Sequence, residues 1–430
     1  MVALKSLHSI LKFNSIFRDV FRDVGILDIV SSLLIYYFQS EVPENEQLID
    51  LLLDISIQML SGPNNQNCVL FTECGASKHV FTFISNMSLP KHLKKKAFLV
   101  SQQLILSNNG EEHLTNLLAL MHLDDDDITS YLNLKSSILK SLLVVLRESH
   151  RVRALFRKVG GFVYVMSVLV HMEGCLSESE CSTWKGIDPK KIWNLLRCVF
   201  ATLTTAMRYE PANAKFFAQE ICSSSLTDSV RLLGCFSNEV KLIELSNPDQ
   251  NDYSEIFSCS LNNLPPKWKM NQFESACLLM RLLYDMAIDV SDKKLPNSNS
   301  ELNSPQANSS NQSHQATGQS SGKRPPHLQL AQITNNGSQL IIHSSVLISM
   351  FQLIPSISSD KLRSFLIEIL RSLLKSERNQ QTVCESGLIS EILLDRYNIV
   401  LLNENHSLHP SIQYILERLS SQQIQPKELR

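Results

Sequence analysis

The sequence predicts an all-α solenoid of stacked helical repeats carrying one disordered insertion. Three observations predict it: a glycine-centred pattern recurs four times, the apolar residues around it keep helical spacing, and the chain is 430 residues long. Single hydrophobic cores stop growing at about 250 to 300 residues, so a chain that is 43% hydrophobic must divide into domains or extend as a stack.

The pattern reads Phe21-Arg-Asp-Val-Gly25, Phe71-Thr-Glu-Cys-Gly75, Phe156-Arg-Lys-Val-Gly160 and Val383-Cys-Glu-Ser-Gly387. An apolar residue four positions before each glycine is the signature of a helix that buries one side and ends in a glycine cap. A second helix follows directly. After Gly25 come Ile26, Ile29, Val30, Leu33 and Leu34. After Gly75 come Ala76, His79, Val80, Phe83 and Ile84, and after Gly160-Gly161 come Phe162, Val165, Met166, Leu169 and Val170. The spacing i, i+3, i+4, i+7, i+8 places each set on one helical face. A shorter fourth copy has Ile389, Ile392 and Leu393.

Upstream, Asn67 and Asn379 each precede their glycine by eight residues, and Asn213 precedes Ile221 by the same eight, which marks a fifth unit without a glycine. Longer amphipathic helices stand before these breaks: Leu48, Leu51, Leu52 and Ile55 in one, and Leu362, Phe365, Leu366, Ile369, Leu370 and Leu373 in another. Each unit is thus a long helix, a polar break, a short helix and a closing helix. The irregular marker intervals fit units of ~40 to 47 residues carrying insertions. A unit this small cannot bury its apolar stripe alone, so neighbours must stack on it, as in armadillo or HEAT solenoids.

Two stretches interrupt the pattern. Ser291 to about Pro326 is rich in Ser, Asn, Gln and Pro with almost no large apolar residue, too little to offset the entropy of ordering. This gives repeats over 1–290, a disordered loop over 291–326 and a continuation of the repeats over 327–430. Ser246 to Lys269 contains Pro248, Pro265, Pro266 and Trp268, loses helical periodicity and reads as an irregular connection.

The 40 Lys and Arg against 42 Asp and Glu leave a net charge of -2 with no long block of either sign, which argues against nucleic acid as a partner. The ten cysteines are scattered without a C-x-x-C pair and read as free thiols in a reducing compartment. The first residues lack a signal-peptide h-region, and no apolar run approaches the ~20 residues that cross a bilayer, so the expected location is cytoplasmic.

No phosphate loop, H-E-x-x-H or G-x-S-x-G pattern occurs, so no catalytic, cofactor-binding or metal residue is assigned, and no enzyme activity or cofactor is expected. The remaining candidates are weak. His171, Cys175 and Cys181 lack a fourth ligand and the paired spacing of zinc sites. His79 reads as a core histidine, and Asp124 to Asp127 as a solvated loop or helix start. Lys94, Lys95 and Lys96 read as a solvated helix edge, and Gly160-Gly161 as a helix terminus.

Several stretches are recognisable: Phe156-Arg-Lys-Val-Gly-Gly-Phe162, Ala206-Met-Arg-Tyr-Glu-Pro-Ala-Asn-Ala-Lys-Phe216, Ser376-Glu-Arg-Asn-Gln-Gln381 with Cys384-Glu-Ser-Gly-Leu388, and the closing Leu416 to Gln422 and Ile424 to Arg430. They resemble the armadillo-like N-terminal part of the autophagy-linked FYVE group within the WD-repeat and FYVE-domain family of very large BEACH proteins. The resemblance runs across nearly the whole chain except 291–326. It implies a scaffold in selective autophagy that links aggregated cargo to the autophagic membrane; the alternative is a vesicle-trafficking or membrane-tethering scaffold of the wider BEACH family. The implied partners are proteins of those machineries. Any membrane contact, autophagic or endosomal, would be indirect, through modules that the family places far downstream and that these 430 residues lack.

Overall fold

The computed structural model describes residues 1–39, 45–62, 65–86, 89–123, 127–178, 183–222, 225–237, 252–258, 271–290 and 339–422. All regular elements among these residues are helical, so the all-α solenoid is borne out. Asp124 to Asp126, Cys181, Cys259, the 291–326 insertion and the closing 424–430 stretch lie outside the described residues.

The first unit is α1 (Val2–Phe13), α2 (Phe17–Asp23) and α3 (Ile26–Phe38). The second is α4 (Glu46–Leu60), α5 (Gln66–Glu73) and α6 (Ala76–Ser85). Then come α7 (Lys91–Leu106) and α8 (Gly110–Ala119) with a 3-10 turn (Leu120–His122), followed by α9 (Ile128–Glu148), α10 (His150–Lys158) and α11 (Gly161–His171). Next are α12 (Pro189–Met207), α13 (Pro211–Phe216) continuing into a π-helical turn (Phe217–Ile221), α14 (Ser225–Leu232), α15 (Tyr253–Ser258) and α16 (Gln272–Ala287). The last stretch holds α17 (Ser344–Leu353), α18 (Asp360–Leu373), α19 (Glu377–Cys384), a π-helical turn (Ile389–Leu393), α20 (Leu394–Arg396), α21 (Asn398–Leu402) and α22 (His409–Ser420).

Several helices start where a side-chain acceptor meets orphan amides. Asp127 accepts from the Thr129 and Ser130 amides at 3.0 and 3.1 Å, so the end of the acidic run is a helix start, and the Ser130 hydroxyl together with those amides holds its carboxyl below the usual range. Asn271 and Glu274 form a reciprocal capping box on α16. The four marker glycines lie between successive helices at φ +75 to +81°, the left-handed geometry that an L side chain resists. Gly161 has a different requirement, because a Cβ there would sit 2.4 Å from the Phe156 ring.

The units stack serially. Long helices pack in the order α1, α4, α7, α9, α12, α16, and a second row runs α3, α6, α8, α11, α14, α17. The seam is continuous: Leu11, Leu52, Val100, Leu139, Leu203 and Leu279, one from each long helix, are all buried.

Three expectations need correction. The interval from Gly75 to Gly160 holds a complete extra unit, α7 and α8, and is not a unit lengthened by insertion; α8 serves as both short and closing helix, packing on α6 and α11 at once. Lys135 supports this unit from inside the core, its Nζ donating to the carbonyls of Leu120, Met121 and Leu123 at the end of the 3-10 turn. The buried faces also differ in detail. Ile29 is 60% exposed while Leu27 and Ser31 are buried, Val170 is exposed while Val168 is buried, and His79 is only half-buried. A solenoid helix meets the units before and after it as well as its own, so its buried arc is wider than one stripe and is turned relative to it. Finally, the Ser246 to Lys269 connection contains α15, whose Tyr253 and Phe257 are buried against α16 and Phe365.

The repeated asparagines lie in the seam between units, all buried. Asn67 Nδ2 donates to the Met59 carbonyl at 2.8 Å, and Asn379 Nδ2 to the Leu373 and Gln339 carbonyls at 2.8 and 2.9 Å. Asn213 Nδ2 donates to the Ala206 and Arg153 carbonyls, both at 2.8 Å. Each therefore ties the end of its own long helix to the short helix that follows, satisfying a carbonyl left open at a helix terminus. Their Oδ1 atoms accept from the preceding segment: Arg22 Nη1 at 3.4 Å, Ile341 N at 2.9 Å and Arg157 Nε at 3.1 Å. The units without such an asparagine use other residues near this place. Arg153 donates to the Leu146 carbonyl at 2.7 Å, and buried His113 contacts Thr72 Oγ1 at 3.1 Å.

Candidate interaction surface

Short helix α10 carries five basic side chains in nine residues, and each is committed to a neighbour. Arg151 reaches the carbonyls of Leu106, Ser107 and Asn108, Arg153 that of Leu146, and Arg157 the Asn213 amide oxygen. Lys158 pairs with Glu111 at 2.8 Å and His150 with Glu210 at 3.0 Å. The helix is basic because it cross-links units through carbonyls and carboxylates. The lysine cluster behaves in part the same way: Lys96 is not a solvated edge but bridges Asp50 and Asp54 of α4 at 2.6 and 2.7 Å.

The zinc candidates are not assembled by what is described. His171 is exposed, its Nδ1 2.6 Å from the Ser167 carbonyl oxygen, and Cys175 is half-buried, with burial pushing its thiol up to about 12. Among the described residues no group of three or more His, Cys, Asp or Glu could hold a metal ion. Burial likewise raises the thiols of Cys68, Cys222, Cys235 and Cys277, which keeps them protonated and weakly nucleophilic.

The outward side chains include several on the closing helices and at the breaks. On α11, Val163 and Val170 are exposed one heptad apart, with Ser167 and His171 on the same arc and Tyr164 tilted against the His122 ring at 4.8 Å between centroids. At the α12 to α13 break Tyr209 takes φ +56° and is 82% exposed. A non-glycine residue held in the left-handed region stores local strain, and such strain gathers at functional positions. The turn is held on one side by Arg208, which pairs with both carboxylate oxygens of Asp289, itself at φ +50°. It is held on the other by Pro211 at the start of α13. Sequence reasoning missed this surface. Its one available sign was Glu210-Pro211, which forces the break into Arg208 to Glu210.

This arrangement of serially stacked helical units, with a buried polar seam and chemistry spent on holding neighbours, agrees with a family match over residues 110–422, described as armadillo-like repeats. The chain belongs to that family. Units α1 to α7, ahead of the matched span, stack in the same manner. Along its whole length this armadillo-like chain is similar to the WD repeat- and FYVE domain-containing protein 4 of Homo sapiens, 26% identical over 462 residues. It is 24% identical over 463 residues to the protein of the same name from Mus musculus. All of the chain is covered in both comparisons, and it spans 14% of the length of each relative. The WD-repeat and FYVE-domain resemblance read from the motifs is therefore to the family of these relatives. No single helix among the described residues is long and apolar enough to cross a membrane; α10 and α11 pass that test only as a pair bent by 69°, and they bury Val152, Phe156 and Phe162 in the stack.

Proposed function

We propose that this chain is a non-enzymatic protein-interaction scaffold, the armadillo-like portion of a large BEACH-family protein acting in selective autophagy of aggregated cargo. The observation that carries the reading is the division of labour among side chains: seam residues such as Asn213, Arg157 and Lys96 are consumed in holding units together, while one arc of α11 and the Tyr209 turn are left outward. Extended stacks of this kind bind along their length, and an exposed aromatic side chain such as Tyr209 is the kind of group that anchors a protein partner. The autophagy assignment is supported by the relatives' FYVE-domain name and by the motif resemblance. We propose the same domain division as the sequence, with repeats over 1–290 and 327–430 on either side of a 291–326 insertion.

Affinity capture from cytosol, with the chain as bait, tests this reading. Autophagy receptors are expected among the captured proteins, and Tyr209→Ala or Val163→Glu should reduce their recovery without altering helicity. Recovery of vesicle-coat components alone would replace the autophagy reading with a trafficking one. Recovery of neither would remove support for both.

A further inference from the structure

The C-terminal end of α17 gathers positive charge from three other elements. Thr227 and Arg231, one turn apart on α14, both reach Gln352: the Thr227 hydroxyl donates to its Oε1 at 2.9 Å and Arg231 Nη2 to its carbonyl at 3.2 Å. From the other side the buried Tyr397 hydroxyl donates to the Phe351 carbonyl at 2.8 Å, which fixes the chain just after α20 to the adjacent residue of the same helix end. Arg396 immediately precedes Tyr397 and is thereby held beside Arg231. Arg363 of α18, whose charge also reaches Tyr397, is buried and already paired with Asp360.

The donors of this cluster are only partly used. Arg396 is half-buried and makes no hydrogen bond or ion pair among the described residues. Arg231 Nε is buried with no hydrogen-bond partner among them, and the Gln352 Nε2 hydrogens are unspent because its Oε1 takes the Thr227 bond. Asp228 stands 3.6 Å from Arg231 Nη1, beyond hydrogen-bond reach, and is 68% exposed, so water screens it. A helix C-terminus carries about half a negative charge, less than either arginine brings. Burial, and then the charge of Arg396, hold the ionisation of Arg231 below the usual arginine range in spite of Asp228. The junction is short of negative charge.

The rim indicates which anion fits. Leu232, next to Arg231, and Leu394, two residues before Arg396, are both part-exposed, so apolar groups flank the charge. Asp228 and Asp395, each exposed beside an arginine, repel a dense negative surface such as a phosphorylated chain or an anionic bilayer more than they repel one carboxylate. We propose that Arg231, Gln352 and Arg396 form a carboxylate-binding site on the row of closing helices, taking one Asp or Glu side chain flanked by apolar residues on a protein partner. The site rests on the scaffold reading and supplies the chemistry by which that scaffold holds a partner.

Fluorescence anisotropy tests the site, with a fluorescein-labelled Gly-Ser-Leu-Glu-Leu-Ser-Gly peptide titrated with the full chain. Saturable binding is expected. Arg396→Gln should weaken it by about tenfold or more, the loss of one charge-assisted contact, with unchanged helicity and Tm because Arg396 ties down no other element. Arg396→Glu should instead prefer the same peptide with Lys in place of Glu, a reversal that damage to the fold cannot produce. Arg147→Gln, at an exposed position of α9, should bind as the wild type does. No binding by the wild-type chain overturns the proposal, and so does binding indifferent to Arg396→Gln or equally lost in Arg147→Gln. Binding about tenfold tighter to the peptide with phosphoserine in place of Glu also overturns it, as does Arg396-dependent binding to vesicles of phosphatidylserine and phosphatidylcholine in place of the peptide. Capture of cytosolic proteins unchanged by Arg396→Gln would refute the site and leave the scaffold reading standing. Peptide binding by a chain that captures no protein would support the site and remove the scaffold reading.

Discussion

Replacing Asn213 with Leu keeps the side chain's approximate volume and deletes its polar atoms, so it isolates the energetics of the seam. The substitution leaves three groups short of a partner: the Ala206 carbonyl at the end of α12, the Arg153 carbonyl in α10 and Nε of Arg157. A buried polar group left without a partner costs roughly 1 to 3 kcal/mol, and Leu recovers part of this by burying apolar surface. The Arg153 carbonyl lies within a helix and keeps other bonding, while Arg157 is near enough to solvent to find water, so the net loss should be about 2 to 4 kcal/mol. Hydrogen exchange is the suitable assay, because long repeat arrays need not unfold in two states and a single global midpoint would blur a local defect. Amides of α10, α12 and α13 should exchange faster, while those of α4 and α5 should not change. A loss below about 0.5 kcal/mol, or faster exchange spread evenly over the chain, would refute the view that Asn213 ties these units together.

Other outcomes follow from the same geometry. Phe156→Ala, which removes a fully buried ring 5.1 Å from that of Phe162, should cost about 3 to 5 kcal/mol, and Leu366→Ala, at a buried position of α18, about 2 to 5 kcal/mol; urea titration would read both. Burial lowers the ionisation of His113 and His343 below the ordinary histidine value, so the unfolded chain binds protons that the folded chain resists. Stability should therefore be fully present above about pH 6.5 and fall as the pH drops below it, and His113→Asn should flatten part of that slope in thermal melts from about pH 5 to 8. Deleting 291–326 should leave the melting transition nearly unchanged. The flanks are already held, Val290 N by the Asp285 carbonyl at 3.0 Å and the Ile342 and His343 amides by the Ala287 carbonyl at 2.9 and 3.0 Å. A collapse of the melt would contradict the proposed domain division.

The parts of the fold that are local physics were readable from the chain. Gly25, Gly75, Gly160 and Gly387 all adopt the left-handed caps inferred from their sequence neighbours, and Phe71, Phe156 and Val383, four positions ahead, are buried. The α7 to α8 unit was invisible because its break has no left-handed glycine. Gly110 sits there for another reason: a Cβ would lie 2.0 Å from the Ile105 carbonyl oxygen. Helix faces were readable only to within about one residue, since what covers Leu27 or exposes Ile29 depends on units distant in sequence. Lys96 could not be assigned to α4 for the same reason, its carboxylate partners lying more than forty residues away. The outward surface was least readable, because an exposed valine on α11 or a left-handed Tyr209 has no periodic signature.

The direction of the asparagine bonds has a consequence for how this chain can change over time. Nδ2 of Asn67, Asn213 and Asn379 donates to main-chain carbonyls, and every amino acid supplies one. The residues at positions 59, 206 and 373 can therefore drift while the junction persists. The spacing can drift too: carbonyl and asparagine stand eight, seven and six residues apart at the three joints, so such a joint tolerates both substitution and a change of a residue in the break.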